Sequence, residues 1–367
     1  MKLLIFYHSM DEHGGAPKVY ARMASYWADV CGYDVTMLVH YGSTNSTYDI
    51  SPKVKIKSAM PTVEKPNRYV RSLLSPILLK ELYREIKREK PDIVILNNAP
   101  YYALTFGATV CMARKVPFVI WNHDGFFMRS TPMYKIARKL FFPKANAVIL
   151  LTNGDKDHLG HLNSNTHIIK NPADDIDLVA ERTLANNNIA LFVGRFVPQK
   201  SLSNLLHAWK KAALAGWKLQ LVGDGIERTM LEELAATLGI TDSVVFLGER
   251  TDTATFYRNA SFFVMSSKHE GLPVVCIEAL AHGLPLVLYD APYWAAELVD
   301  DNKNGFLAEC GDTSTLAAAM QKMASSHEMR VQFSAHSLQK VTAFAIDEVS
   351  NRWEEIFKQV KTSSMRT

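Results

Sequence analysis

Residues His269–Glu278 read HEGLPVVCIE, and this stretch decides how the chain of 367 residues is interpreted. The apolar run SFFVMSS lies just before it and is typical of a buried strand. Pro273 suits the first turn of a helix, where its missing N–H group costs no hydrogen bond. A buried strand, a short loop and a helix form the repeating unit of a parallel α/β sheet. Glu270 is therefore predicted in the loop at the carboxyl end of the strand, and Glu278 in the helix.

The same alternation of apolar runs and helical patterns extends along the chain, with one interruption. Before the interruption we predict the strands Lys2–Tyr7, Asp34–His40, Asp92–Leu96, Pro117–Trp121 and Ala147–Leu151. After it we predict the strands Ile189–Val193, Lys218–Val222, Val244–Leu247, Ser261–Met265 and Leu284–Tyr289. The interruption is Asn171–Asn188, a polar segment that ends in three asparagines. The fold class is therefore predicted as α/β, with two Rossmann-like doubly wound domains facing a central cleft.

The domain boundaries follow from this alternation of strands and helices and from its interruption. Residues 1–172 are assigned to an N-terminal domain and residues 185–345 to a C-terminal domain. The last amphipathic segment, Ile346–Val360, lies beyond the final predicted strand, so we expect a helix of about residues 346–362 that packs back onto the first domain. The longest helical pattern of the first domain is Asn67–Lys90, which ends before a proline.

The composition is that of a globular protein, with 48% hydrophobic and 21% charged residues. No apolar run reaches the roughly 18 residues of a membrane span. The opening MKLLIFYHSM is predicted as a first strand rather than a signal peptide. The four cysteines form no CxxC pair, so we expect free thiols in a reducing cytoplasm.

Charge is divided unevenly between the two halves. Residues 1–172 hold 23 Lys and Arg against 13 Asp and Glu, which is +10, whereas residues 173–367 hold 18 against 24, which is −6. A basic half suits an anionic partner such as a membrane lipid or a phosphorylated substrate. We expect no nucleic acid partner, because no module of that kind is recognisable. No metal site is predicted, because the acidic pairs Asp174-Asp175 and Asp300-Asp301 lack a His or Cys at ligand spacing.

The stretch around Glu270 has the chemistry of a phosphate site between two carboxylates. Gly271 lets the backbone approach a ligand, and the free N–H groups of the first helical turn attract an anion. Glu270 and Glu278 can accept hydrogen bonds from hydroxyl groups on either side. A nucleotide sugar has this order of groups: a hydroxylated sugar, a diphosphate and a hydroxylated ribose. A capped core helix with one incidental buried glutamate is an alternative interpretation of the same sequence, although burying a glutamate without a partner costs free energy.

Three further segments follow predicted strands. Arg195 and Lys200, in the loop of VGRFVPQK, can neutralise a leaving diphosphate, or they are solvated basic residues. Gly14 and Gly15 precede a helix where a phosphate or sugar would approach, but a plain turn accounts for them equally well. His123 can bind a sugar hydroxyl or transfer protons near neutral pH, or it is a satisfied structural histidine.

An ordered set of motifs resembles the family-4 retaining glycosyltransferases, which have the GT-B architecture. The resemblance covers almost the whole chain and is strongest over Ile189–Leu307. Its motifs are VGR…K at Gly194–Lys200, LVGDG at Leu221–Gly225, FLGE at Phe246–Glu249, the E-x7-E from Glu270 to Glu278, and ELVDDNKNGFL at Glu297–Leu307.

The resemblance implies roles for the candidate residues. Arg195 and Lys200 would hold the donor diphosphate, Glu270 the hydroxyls of the donor sugar, and Glu278 the ribose. Backbone amides after Glu270, at Gly271, Leu272 and Val274, would hold the distal phosphate. The Gly14-Gly15 loop would close over the donor, and His123 would lie near its sugar. The resemblance also implies transfer with retention, without a cofactor or metal.

The chain departs from the family pattern at three places. The common EGFG reads EGLP here, so Pro273 removes one phosphate-binding N–H group. The segment after the first domain's last predicted strand reads Asn171-Pro172-Ala173-Asp174 instead of Asn-Gly-Val-Asp. The aromatic pair Tyr293-Trp294, in the segment expected to contact the donor sugar, is also unusual for the family.

By resemblance, the partners are a nucleotide-sugar donor, UDP before GDP, and a glycan or glycolipid acceptor. The basic first half would meet anionic membrane at the inner face of the cytoplasmic membrane. Arg68–Leu74 and Lys135–Lys144 mix cations with large apolar residues as interfacial helices do, although packing of their apolar faces on the sheet explains them too. The alternative functions are a nucleotide-sugar epimerase or sugar phosphorylase of similar architecture, and a non-catalytic nucleotide-sugar-binding protein.

Overall fold

The computed structural model describes residues 1–63, 74–98, 101–125, 131–173 and 184–364. The chain divides into two compact units. The first consists of Met1–Pro172 together with Ile346–Thr367, and the second of Ala173–Ala345.

The first unit contains a seven-stranded parallel sheet in the order β3-β2-β1-β4-β5-β6-β7. Its strands are β1 (Lys2–Tyr7), β2 (Asp34–Val39), β3 (Lys55–Ser58), β4 (Ile93–Asn97), β5 (Phe118–Trp121), β6 (Ala147–Leu150) and β7 (Thr166–Ile168). The helices between them are α1 (Gly15–Asp29), α2 (Ser75–Glu89), α3 (Tyr101–Arg114), α4 (Pro132–Phe141) and α5 (Asn153–Leu159). The central strands β4 and β5 are buried along their whole length, as expected for a sheet covered on both faces.

The second unit repeats this design with six parallel strands in the order β10-β9-β8-β11-β12-β13. Its strands are β8 (Ile189–Val193), β9 (Lys218–Val222), β10 (Val244–Gly248), β11 (Phe262–Met265), β12 (Leu286–Asp290) and β13 (Gly305–Glu309). Its helices are α6 (Leu202–Ala212), α7 (Arg228–Thr237), α8 (Ala254–Asn259), α9 (Val274–Ala281), α10 (Ala295–Leu298), α11 (Thr313–Ser325) and α12 (His327–Val341). The strand order reverses between β8 and β11, and loops that leave such a switch point carry ligand sites in doubly wound sheets.

The last helix, α13 (Ile346–Ser364), belongs to the first unit. The ring centroid of Trp353 lies 5.4 Å from that of Trp27 on α1 and 4.8 Å from that of Trp121 on β5. All three indoles are fully buried. Aromatic packing of this size holds the C-terminal helix against the first sheet.

The predicted α/β class with two doubly wound sheets is confirmed, and the predicted strands are present with small shifts of their ends. Three strands at sheet edges, β3, β7 and β13, were not predicted. The helix predicted at Asn67–Lys90 is described from Ser75 onward, and its earlier part lies outside the described residues. Within the described part of the chain, no helix combines the length and hydropathy that a membrane span requires.

Candidate functional site

An ion pair joins the loop after β8 to the loop after β11. Lys200 Nζ lies 2.7 Å from Glu270 Oε1, and both side chains are only about one-tenth exposed, at 12% and 10%. The two residues are 70 positions apart in the chain. They meet because β8 and β11 are neighbours at the switch point of the second sheet. The pair therefore lies where a doubly wound sheet binds its ligand.

Hydrogen bonds fix the spacing of these two loops. The hydroxyl of Ser266, fully buried at the end of β11, lies 2.9 Å from the carbonyl oxygen of Lys200 and 3.0 Å from that of Ser201. Gln199 Nε2 donates to the carbonyl oxygen of His269 over 2.7 Å. Neither Ser266 nor Gln199 was predicted as a site residue, because their partners belong to distant segments and no motif marks them.

Arg195 lies exposed in the loop after β8, next to Gly194. Two glycines of LVGDG set the position of this loop. A Cβ atom on Gly223 would lie 2.0 Å from the carbonyl oxygen of Gly194, and one on Gly225 would lie 2.4 Å from that of Phe196. Their φ values of +136° and +158° also favour glycine. The LVGDG motif thus lets two backbone segments touch, and it fixes the chain that carries Arg195.

Helix α9 begins one residue later than predicted. Pro273 is the N-cap residue, with extended backbone at φ −69° and ψ 118°, rather than a member of the first turn. Gly271, Leu272 and Val274 are buried around this helix start. The N–H groups of the first turn point out of the helix end, which is a favourable place for an anion. The helix ends at Ala281, close to the predicted stop at Gly283.

Glu278 is buried on α9, with 6% of its surface exposed. Its Oε2 accepts a hydrogen bond of 2.8 Å from the hydroxyl of Tyr257, on α8. A buried carboxylate needs such a donor, and Tyr257 supplies it. Tyr257 was missed by sequence reasoning because nothing links it to Glu278 across 21 positions.

The remaining candidates lie in the first unit. Gly14 is the N-cap of α1, and its N–H group donates to the hydroxyl of Tyr48 over 2.9 Å. Gly15 is exposed at the first position of the helix. His123 follows β5, and its ring centroid lies 5.0 Å from that of Tyr20 on α1. The start of α1 and His123 therefore belong to the same end of the first sheet.

The imidazole of His123 is held neutral by its surroundings. Its Nε2 is buried and has no hydrogen-bond partner among the residues that the structure describes, although the residue as a whole is partly exposed. Burial lowers the pKa of His123 to about 3, because removal from water disfavours the charged form. The neutral ring suits hydrogen bonding to a hydroxyl group better than proton transfer near pH 7.

The side chains of the described residues are not grouped closely enough to bind a metal ion. Among them, no cluster of three or more His, Cys, Asp or Glu side chains is arranged to hold an ion. The acidic pair Asp300-Asp301 is instead engaged locally, with Asp300 Oδ1 2.8 Å from Lys340 Nζ. Asp174-Asp175 lies outside the described residues.

Comparison with known proteins identifies the class. The family model described as Glycosyl transferases group 1 matches residues 176–339, and the one described as Glycosyltransferase Family 4 matches residues 13–175. The two matches follow one another along nearly the whole chain. The chain therefore belongs to the family-4 glycosyltransferases of GT-B architecture, and it is a glycosyltransferase.

Relatives and a solved structure agree with this assignment. The chain is 25% identical to the amylovoran biosynthesis glycosyltransferase AmsD of Erwinia amylovora over 97% of its length and 99% of that protein. It is 27% identical to the lipopolysaccharide core biosynthesis glycosyltransferase LpsE of Rhizobium meliloti, over 90% and 91%. The crystal structure of Anabaena Alr3699/HepE in complex with UDP and glucose has the same fold, with a TM-score of 0.77, 19% identity and coverage of 98% and 99%.

The low pKa of His123 predicts how stability depends on pH. Below about pH 6.5 the unfolded chain binds a proton that folded His123 does not accept until about pH 3. The contribution of His123 to stability is therefore complete above pH 6.5 and falls by up to about 1.4 kcal/mol per pH unit below it. Urea unfolding of the wild type and His123→Asn at pH 7 and pH 5 measures this. The stability of the wild type relative to the variant should decrease at pH 5, and an unchanged difference would contradict the low pKa.

Proposed function

We propose that this protein is a retaining glycosyltransferase that uses a nucleotide-diphosphate sugar, with UDP as the nucleotide, and a hydroxyl group of a glycan or lipid-linked glycan as acceptor. The observation that carries the proposal is the ion pair of Lys200 and Glu270 beside the start of α9. It places a cation, a carboxylate and a helix N-terminus together, within the part of the chain that matches Glycosyl transferases group 1.

Each group has a part in donor binding. Lys200 and the exposed Arg195 supply positive charge for the diphosphate, and this charge stabilises the leaving group as its bond to the sugar breaks. The N–H groups at the start of α9 bind the distal phosphate. Glu270 accepts hydrogen bonds from sugar hydroxyls, and Glu278 accepts them from the ribose. UDP is favoured because a structure of this fold, HepE, was determined with UDP and glucose.

Transfer needs one bond to break and one to form at the anomeric carbon. The bond from that carbon to the diphosphate oxygen breaks, and the acceptor oxygen bonds to the carbon on the same face. The acceptor proton passes to the departing phosphate, so no side chain has to serve as the base. By the family resemblance, His123, neutral because its pKa is low, would hydrogen bond to the donor sugar, and the Gly14-Gly15 loop would close over the donor.

The acceptor is proposed from the relatives. AmsD is named for amylovoran biosynthesis and LpsE for lipopolysaccharide core biosynthesis. We infer that this chain acts likewise in the assembly of a cell-surface polysaccharide or lipopolysaccharide, on the cytoplasmic side of the membrane.

Helix α4 supplies a surface for the membrane at which such acceptors are held. Met133, Ile136 and Leu140 are 52%, 53% and 56% exposed along one side of the helix, and Lys135 and Lys139 are exposed beside them. The opposite side packs inward through Tyr134, Ala137 and Arg138. An outward apolar stripe flanked by lysines suits an anionic bilayer surface. The other predicted membrane segment, Arg68–Leu74, falls almost entirely outside the described residues.

Replacing Lys200 with Ala tests the donor site. The loss of this cation should weaken binding of the nucleotide and reduce sugar transfer on the order of 100- to 1000-fold, because leaving-group charge is no longer neutralised. Isothermal titration with UDP, GDP and ADP, and transfer from UDP-, GDP- and ADP-sugars to membrane lipid extracts, measure both effects. Lys210→Ala, an exposed lysine on α6, is the matched control and should behave as the wild type. Full activity of Lys200→Ala would remove this lysine from the site.

We also propose that transfer requires no metal ion, because Arg195 and Lys200 supply the charge for the diphosphate. Treatment of the protein with EDTA, followed by assay in EDTA, should therefore leave the transfer rate within about twofold of the untreated rate. Loss of activity that is restored by added Mg²⁺ or Mn²⁺ would contradict this proposal.

A variant of α4 tests the membrane surface. Ile136→Asp places a charge in the apolar stripe and removes about 2 kcal/mol of apolar burial, so binding to the bilayer should fall at least tenfold. Flotation with vesicles containing phosphatidylglycerol measures the bound fraction. Val331→Asp, a similarly exposed position on α12, serves as control. Equal flotation of Ile136→Asp and the wild type, or no flotation of either, would refute the proposed surface.

A further inference from the structure

The hydroxyl of Tyr257 is directed at the carboxylate of Glu278 in the interior of the second unit. The oxygen of Tyr257 lies 2.8 Å from Glu278 Oε2, and the tyrosine is 1% exposed. The same hydroxyl lies 3.2 Å from the carbonyl oxygen of Val275. A hydroxyl has one proton to donate, and the shorter contact to the carboxylate is the stronger because it is charge-assisted.

The ring of Tyr257 packs against two other aromatic rings. It stacks on His282 with a centroid distance of 5.1 Å and an angle of 25° between the ring planes, and it also contacts Phe263 at 6.1 Å. The Nδ1 atom of His282 lies 2.9 Å from the carbonyl oxygen of Glu278, one turn earlier on α9. The tyrosine therefore joins α8 to the turn of α9 that carries Glu278, and its hydroxyl has little freedom to move.

Glu278 shares α9 with a thiol on which the charges of the Lys200–Glu270 pair also act. The buried thiol of Cys276, two residues before Glu278 on α9, has its pKa raised by burial, and the charges of Lys200, Glu270 and Glu278 all act on it. Glu270 lies in the loop just before α9, and Glu278 lies in the second turn of the same helix. In the proposed function, the donor extends from this loop to that turn of the helix.

We propose that Tyr257 is a positioning residue that fixes the carboxylate of Glu278 for the two ribose hydroxyls of the donor nucleotide. The inference rests on the proposed function, in which Glu278 binds the ribose. A glutamate has three rotatable bonds, and binding a ligand with a free side chain costs conformational entropy. A hydrogen bond from a rigid phenol to one carboxylate oxygen removes this cost before the nucleotide arrives, and the carboxylate retains acceptor capacity for a diol.

A ratio of two affinities separates this role from a purely structural one. We would measure, by isothermal titration, the dissociation constants of UDP and 2′,3′-dideoxy-UDP, with GDP and its dideoxy analogue in parallel. The ratio of the dideoxy value to the parent value reports what the ribose hydroxyls contribute. The variants are Tyr257→Phe, which keeps the stacked ring, and Glu278→Gln, which alters the carboxylate itself. Tyr289→Phe removes another fully buried tyrosine hydroxyl of the same unit and is the matched control.

The expected result is a ratio that falls at least fivefold in Tyr257→Phe, falls further in Glu278→Gln, and stays at the wild-type value in Tyr289→Phe. A Tyr257→Phe variant that weakens both ligands equally would show a structural role only and would overturn the inference. So would an unchanged ratio in Tyr257→Phe alongside a lowered ratio in Glu278→Gln. An unchanged ratio in Glu278→Gln would also overturn it, by removing the glutamate from the ribose.

These outcomes differ from failure of the proposed function itself. Wild-type protein that bound neither UDP nor GDP would contradict the donor class, whereas the results above presuppose that one of them binds. Thermal unfolding of each variant shows whether the fold is intact, so that a loss of affinity for both ligands is assigned to the correct cause.

Discussion

The contact between Lys200 and Glu270 organises the candidate site of the second unit. It joins two loops that leave neighbouring strands, and the buried hydroxyl of Ser266 holds those loops at a fixed spacing. A cation and a carboxylate at 2.7 Å, both largely shielded from water, interact more strongly than an exposed pair would. The contact thus links the segment that carries Arg195 to the segment that leads into α9.

The close backbone contacts of two glycines explain the LVGDG motif, whose structural role the sequence alone does not reveal. LVGDG is positioned after β9, where a phosphate loop would be plausible, but Gly223 and Gly225 are occupied with the backbone of the neighbouring loop. Their value is the absence of a side chain. The two glycines of this motif thus act through close packing against the chain that carries Arg195.

The sequence predicted the central strands because parallel strands covered on both faces are continuous apolar runs. The edge strands β3 and β7 were missed because they are short and partly exposed, as in the polar KIKS of Lys55–Ser58. The edge strand β13 was missed although it is as long as its neighbour β12. The charged residues of the candidate site could be predicted because they directly follow predicted strands. Their hydrogen-bond partners could not be predicted, because those partners are distant in sequence. Tyr257 is 21 positions from Glu278, and Ser266 is 66 positions from Lys200. The central cleft, the residue roles and the metal-free, retaining chemistry stay predictions.

The mutual neutralisation of Lys200 and Glu270 has a consequence for selectivity. An incoming anion must take the ammonium group away from its present counterion, and the carboxylate then needs new hydrogen-bond donors. Inorganic phosphate offers an anion but few hydroxyl groups, and a free sugar offers hydroxyl groups but no anion. If the pair binds the donor as proposed, a molecule that carries both an anion and hydroxyl groups can satisfy both partners at once, whereas inorganic phosphate or a free sugar can satisfy only one of them.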